Sequence, residues 1–220
     1  MSANHSAAIK EELVPGSDSL FVIFGGIAGA VGMPPFEFYR TSRILDDSKI
    51  FLRDPRQAWY QRGIASVGDD VYAIRDLLRD RIAAAAPSKV RFIGNSMGGY
   101  AAILLCAMLK VGRAIAFSPQ TFVSPERRLE SGDERWHAPI AEMHRHRTQS
   151  HIYELRSWLR RHDPDIQADV YVSRNHALDW LHARELEGFA NIRLHEFGLG
   201  EHNLVRHFRD AGTLHAILKS

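Results

Sequence analysis

Read from its N-terminus, the chain is a succession of short apolar runs separated by amphipathic segments. Leu20-Phe21-Val22-Ile23-Phe24 is an unbroken apolar run of strand length, and a glycine loop follows it. Lys49-Ile50-Phe51-Leu52 is a second, ending at Arg53-Asp54-Pro55. Between positions 68 and 86, Val71, Ile74, Leu77, Leu78 and Ile82 recur at helical spacing, and Pro87 ends the pattern. Strand runs recur at residues 89–93, 113–117, 169–173 and 191–197. Helical segments are expected at 100–109, about 179–187 and about 203–218. Strands alternating with helices predict the α/β class, with a mostly parallel sheet covered on both faces.

Two stretches depart from this alternation. Residues 1–17 are polar and predict a flexible tail, although Leu13-Val14 could pair as an edge strand. Residues 119–166 hold no strong strand run. They carry eight arginines together with His137, His144, His146, His151 and His162. Acidic residues balance the arginines, so this is not simply a basic patch. Ile152, Leu155, Trp158 and Leu159 give one helix an apolar face. The stretch reads as a helical excursion on the rim of the sheet, either merely solvated or acting as a lid that shapes a substrate pocket. No repeat or low-complexity linker divides the chain, so residues 18–220 read as one domain.

Composition narrows the class. A chain of 220 residues, 45% apolar and 25% charged, is ordinary for one globular domain. A net charge of +2 does not mark a nucleic-acid binder. The single cysteine, Cys106, cannot form an internal disulfide, which fits a reducing, cytoplasmic compartment. The uncharged stretch from Leu20 to Met33 is too short to span a bilayer. Glu11, Glu12 and Asp18 outnumber Lys10 upstream of it, whereas a signal peptide starts basic.

Candidate chemistry enters at Gly94-Asn95-Ser96-Met97-Gly98, a G-x-S-x-G motif between a strand run and a small-residue helix. In a nucleophile elbow the serine adopts a strained backbone and presents Oγ at the top of the sheet. Strand and helix then nearly touch, so the positions two before and two after the serine must be small. Gly94 and Gly98 meet that demand, and Gly99, Ala101 and Ala102 extend it. The alternative is a glycine-rich turn whose serine only caps the helix.

From Leu20 to the C-terminus the chain resembles the α/β-hydrolase fold superfamily, in a small form, most specifically at the elbow. The resemblance implies a triad in the chain order Ser, acid, His, with Ser96 as nucleophile. The histidine would follow the last strand, where Phe197-Gly198-Leu199-Gly200-Glu201-His202-Asn203 presents His202. His195 lies inside a strand, and His207 and His215 inside a helix. The acid would follow the penultimate strand, where Asp179 is the only carboxylate between Ser173 and Glu185. A plain helix N-cap is its alternative role. Asp169 lies at the wrong end of the sheet, and Glu201 is too close in sequence to meet His202 well. The implied oxyanion hole takes the N–H of Met97 and that of Ile27, after Gly25-Gly26.

The implied activity is that of a serine hydrolase cleaving an ester or thioester through an acyl-enzyme, without cofactor or metal. Its substrate would be a small molecule or an acyl group on a carrier. Capture of the acyl group by an alcohol or amine would make it an acyltransferase. A third reading is a non-catalytic α/β-hydrolase-like binding protein, which would need no intact Ser, Asp and His set. Asp54, Trp59, Tyr60, Ser118 and Gln120 are candidate pocket residues at strand ends. His144-x-His146 lacks a convincing set of carboxylate or thiolate partners and reads as a polar helix face. Gly25, Gly26 and Gly29 do not form G-x-G-x-x-G, so a dinucleotide site is not indicated.

Overall fold

The computed structural model describes residues 8–27, 38–39, 41–200 and 202–220. Seven strands form one sheet: β1 (Ile9–Glu12), β2 (Ser19–Phe24), β3 (Ser48–Leu52), β4 (Lys89–Asn95), β5 (Arg113–Phe117), β6 (Gln167–Ser173) and β7 (Ile192–Phe197). Their spatial order is β1-β3-β2-β4-β5-β6-β7, parallel except for β1. The apolar runs are unbroken because both faces are covered. In β2, Leu20, Val22 and Phe24 enter one core cluster, while Phe21 and Ile23 enter the other.

The larger cluster takes side chains from α1 (Val71–Ala85), α2 (Met97–Leu109) and α5 (Leu155–His162). Every residue of α2 from Met97 to Ala107 is buried, so this helix lies at the centre of its layer. Burial pushes the thiol of Cys106 up to about 12, which makes it an inert packing residue. The smaller cluster is closed by α7 (Leu204–Asp210) and α8 (Leu214–Lys219). The expected single closing helix is thus two, with Gly212 at φ 72 between them.

Residues 9–12 belong to the sheet and not to a flexible tail. β1 pairs antiparallel with β3, and Glu11 accepts from Arg81 Nε at 2.8 Å. Its polar composition hides it, because an edge strand tolerates charge. Leu13-Val14 lies just beyond that strand, where the Val14 amide donates to Ser48 Oγ at 3.0 Å.

The excursion between β5 and β6 carries α3 (Pro125–Ser131), α4 (His137–Arg145) and α5. Buried Gln61 ties it to the body of the fold. Its Oε1 accepts the Ile152 amide at 2.7 Å, and its Nε2 donates to Tyr100 Oη at 3.3 Å. Tyr100 Oη in turn donates to the Ile152 carbonyl.

The elbow glycines are steric requirements. A Cβ on Gly94 would stand 2.1 Å from the Gly98 carbonyl oxygen, and one on Gly98 would stand 2.4 Å from the Phe24 carbonyl oxygen. Either must move backbone. Gly94→Ala and Gly98→Ala are each expected to cost about 1–3 kcal/mol or more. At Gly99 the nearest atom is Pro119 Cβ at 3.1 Å, so Gly99→Ala should cost less. Thermal unfolding of the three variants checks that order.

Candidate active site

Ser96 stands between β4 and α2 at φ 54, ψ −117, a strained conformation for a residue with a side chain. Backbone bonds hold it there: its amide donates to Phe117 O at 2.9 Å, and its carbonyl accepts from Tyr100 N at 3.1 Å. Its hydroxyl does not cap the helix. The residue is only 4% exposed, less open than an elbow serine is expected to be. Oγ donates instead to Oε1 of buried Gln120 at 3.3 Å, and the Gln120 amide reaches the Ser96 carbonyl at 3.3 Å.

His202 and Asp179 are brought together from two different strand ends. His202 lies between β7 and α7, and Asp179 lies in the first turn of α6 (Ala177–Arg184), after β6. His202 Nδ1 donates to Asp179 Oδ2 at 2.6 Å. Asp179 is not the N-cap of α6. His176 takes that position, its Nδ1 accepting the Asp179 amide at 3.1 Å, which frees the carboxylate. No hydrogen bond joins His202 to Ser96 among the described residues. Such bonds are often long before substrate binds.

The other acids considered are placed elsewhere. Asp169 bonds His195 Nε2 at 2.7 Å and pairs with Arg113. Glu201, Ala28 and Gly29 lie outside the described residues.

The Asp179 carboxylate has a second partner that sequence reading missed. Arg135, between α3 and α4, donates from Nη1 to Asp179 Oδ1 at 2.7 Å. The same guanidinium grips Asp133, through Nε to Oδ1 at 3.0 Å and Nη2 to Oδ2 at 2.8 Å. Asp133 also accepts from Nε2 of fully buried His182 at 2.9 Å. His182 Nδ1 accepts the Thr121 amide at 3.1 Å, which assigns the proton to Nε2. No local pattern marks these residues, because Arg135 and Asp179 are 44 positions apart.

Burial alone would raise Asp133, but the His182 hydrogen bond and the Arg135 fork hold it well below the usual carboxylate range. Burial would likewise raise Asp179, and His202, Arg135 and His176 together hold it low. Burial pushes His182 down, so it stays neutral. All three groups titrate lower in the folded chain than when unfolded. Each contribution is therefore complete above the unfolded value and fades as pH falls toward the folded one. Stability is expected to decline below about pH 6.5, as unfolded chains protonate position 182, and more steeply below about pH 4. Denaturant midpoints from pH 3 to 8 check this, and a flat profile would contradict it.

The Met97 amide is the first of α2, so it has no carbonyl one turn back within the helix. Ile27 is half-buried just after β2, whose Phe24 carbonyl abuts Gly98. Tyr60 Oη holds the Gly25 carbonyl at 3.0 Å. Asp54 is a local anchor, accepting the amides of Arg56, Ala58 and Tyr60 at 2.9, 2.7 and 2.9 Å. Trp59 and Tyr60 are core residues, and Ser118 is fully buried. His144 bonds the Val123 carbonyl and His146 bonds Glu142.

Donor atoms of His176, Asp179 and His202 lie within 4.8 Å of one another, the composition of a metal site. Here they are already engaged, and the Arg135 guanidinium 2.7 Å from the carboxylate opposes a dication. The set is organised as an acid–histidine pair.

Known structures place this architecture. The capsule O-acetyltransferase of Neisseria meningitidis serogroup A superposes with a TM-score of 0.68 at 13% identity, over 96% of this chain and 90% of that one. A lipase-esterase related protein from Clostridium acetobutylicum gives 0.58 at 14% identity, over 95% and 97%. Fluorophosphonate-binding serine hydrolase F of Staphylococcus aureus gives 0.60 at 16%, over 94% and 84%. The chain has the α/β-hydrolase fold. No family model matches its sequence, and no curated protein does. No helix among the described residues is long and apolar enough to cross a membrane.

Proposed function

We propose that this protein is a serine hydrolase that cleaves a small ester or thioester through an acyl-enzyme on Ser96. The observation that carries the reading is the 2.6 Å bond from His202 to buried Asp179, at the same sheet edge as a serine held at positive φ. Ser96 Oγ turns from Gln120 to His202 and attacks the acyl carbon as His202 takes its proton. Asp179 holds the imidazole with its proton on Nδ1 and stabilises the imidazolium. The amides of Met97 and Ile27 receive the oxyanion. The leaving group departs with the proton from His202. Water, deprotonated by His202, then attacks the acyl carbon, and the acyl–Oγ bond breaks as His202 returns that proton to Ser96 Oγ.

A fluorophosphonate probe tests this. Labelling of the folded protein at Ser96, lost in Ser96→Ala, is the expected result. Folded protein that takes no label would favour a non-catalytic binding protein.

Acyl transfer is the second reading, supported by the TM-score of 0.68 to an O-acetyltransferase, a protein also solved in complex with CoA. Acetyl-CoA supplied with and without a simple alcohol separates the two. Free acetate in both cases means hydrolysis, and an acetylated alcohol means transfer.

A further inference from the structure

We propose that Arg135 and Asp133 form a positioning pair that fixes the catalytic acid without cancelling its charge. The inference rests on the serine-hydrolase reading and deepens it. Arg135 belongs to the excursion and not to the sheet edge that carries Ser96, Asp179 and His202. Its guanidinium is a rigid fork with five donors, suited to gripping two carboxylates at once. It holds both oxygens of Asp133 through Nε and Nη2 and turns an N–H of Nη1 to Asp179 Oδ1. Asp179 thereby has one oxygen for the excursion and one for His202. Its carboxyl plane is fixed from both sides.

The charges explain why two residues are needed. An arginine alone would neutralise Asp179 and remove the reason for His202 to become cationic. Asp133, 3% exposed and paired with Arg135, cancels that cation. Neutral His182, itself held by the Thr121 amide, donates to Asp133 in turn. The buried group of Asp133, Arg135 and Asp179 carries one net negative charge. The His202 imidazolium of the transition state neutralises it. The other titratable groups facing this cluster are His176, against Asp179 and His202, and Arg128, whose charge is felt by both Asp133 and Arg135.

Three substitutions separate charge from geometry. Arg135→Gln deletes the cation, so the acidic limb of kcat/KM should move to higher pH. Asp133→Asn leaves the cation uncompensated, so the limb should move to lower pH. Arg135→Lys keeps the charge and loses the fork. The limb should stay in place while kcat falls roughly 10–100-fold, the range a small misplacement of a catalytic group produces. NMR titration of the histidine rings in a Ser96→Ala background gives the same comparison without turnover, with His176 and His182 assigned by single His→Gln variants. Opposite movement for Arg135→Gln and Asp133→Asn supports the pair. Movement in the same direction, or none, overturns it, as does wild-type kcat in Arg135→Lys. Should the first two variants not fold, Arg135→Lys decides alone. If the NMR shifts appear but the wild type neither turns over nor takes the fluorophosphonate label, the hydrolase reading fails and the electrostatic coupling stands.

Discussion

Ser96→Ala is expected to reduce turnover by several orders of magnitude. About 10³-fold acceleration over water should survive, supplied by the oxyanion donors and binding. The fold should survive as well. Oγ makes one long hydrogen bond, 3.3 Å to Gln120, so the variant loses little. The strained backbone is unchanged, since alanine at φ 54 is no easier than serine. Steady-state rates on an activated ester, beside a thermal melt, check both halves. Wild-type kcat in Ser96→Ala would end the elbow reading.

Asp179→Asn should lower kcat about 10⁴-fold with little change in KM. The structure supplies a particular reason. Each carboxylate oxygen of Asp179 serves one donor, Oδ1 for Arg135 and Oδ2 for His202. An asparagine has one oxygen. The guanidinium, with no acceptor of its own, claims it, and the amide NH₂ then faces His202 Nδ1. That geometry demands the wrong tautomer, with the proton on Nε2, where Ser96 needs an acceptor. Asp169→Asn should cost less than about tenfold, because that carboxylate already serves His195 and Arg113. A crippled Asp169→Asn beside a near-normal Asp179→Asn would place the acid elsewhere.

Much of this architecture is legible in the chain for local reasons. A buried parallel strand must be apolar on both sides, so β2 to β6 stand out as runs such as Leu20-Phe21-Val22-Ile23-Phe24. The elbow is legible because its sterics admit only small residues at 94 and 98. The resemblance picks out Asp179 and His202 by chain order and loop position, and their side chains lie 2.6 Å apart in the structure. What is hidden depends on partners distant in sequence. β1 reads as a polar tail because an edge strand needs few apolar residues. His176 as the cap of α6 is hidden because histidine is not a usual capping residue. The grip of Arg135 on Asp179 is hidden because eight arginines in the excursion look alike until the fold selects one.

The two-sided burial of the central strands leaves open how the chain finds its pairing. A one-residue slip would exchange the two faces of β5 yet keep every apolar side chain out of water. Hydrophobicity is therefore nearly blind to register in this sheet. Size is not. β5 turns Ala114 and Ala116 toward the face carrying α2, and Ile115 and Phe117 toward the other. Sliding it would drive a phenylalanine ring into space fitted for a methyl group. Gly94 acts in the same way, since neither Ile93 nor Asn95 could take its place without collision. The large apolar residues supply most of the folding energy, but the alanines and glycines carry the information that selects one alignment from its neighbours.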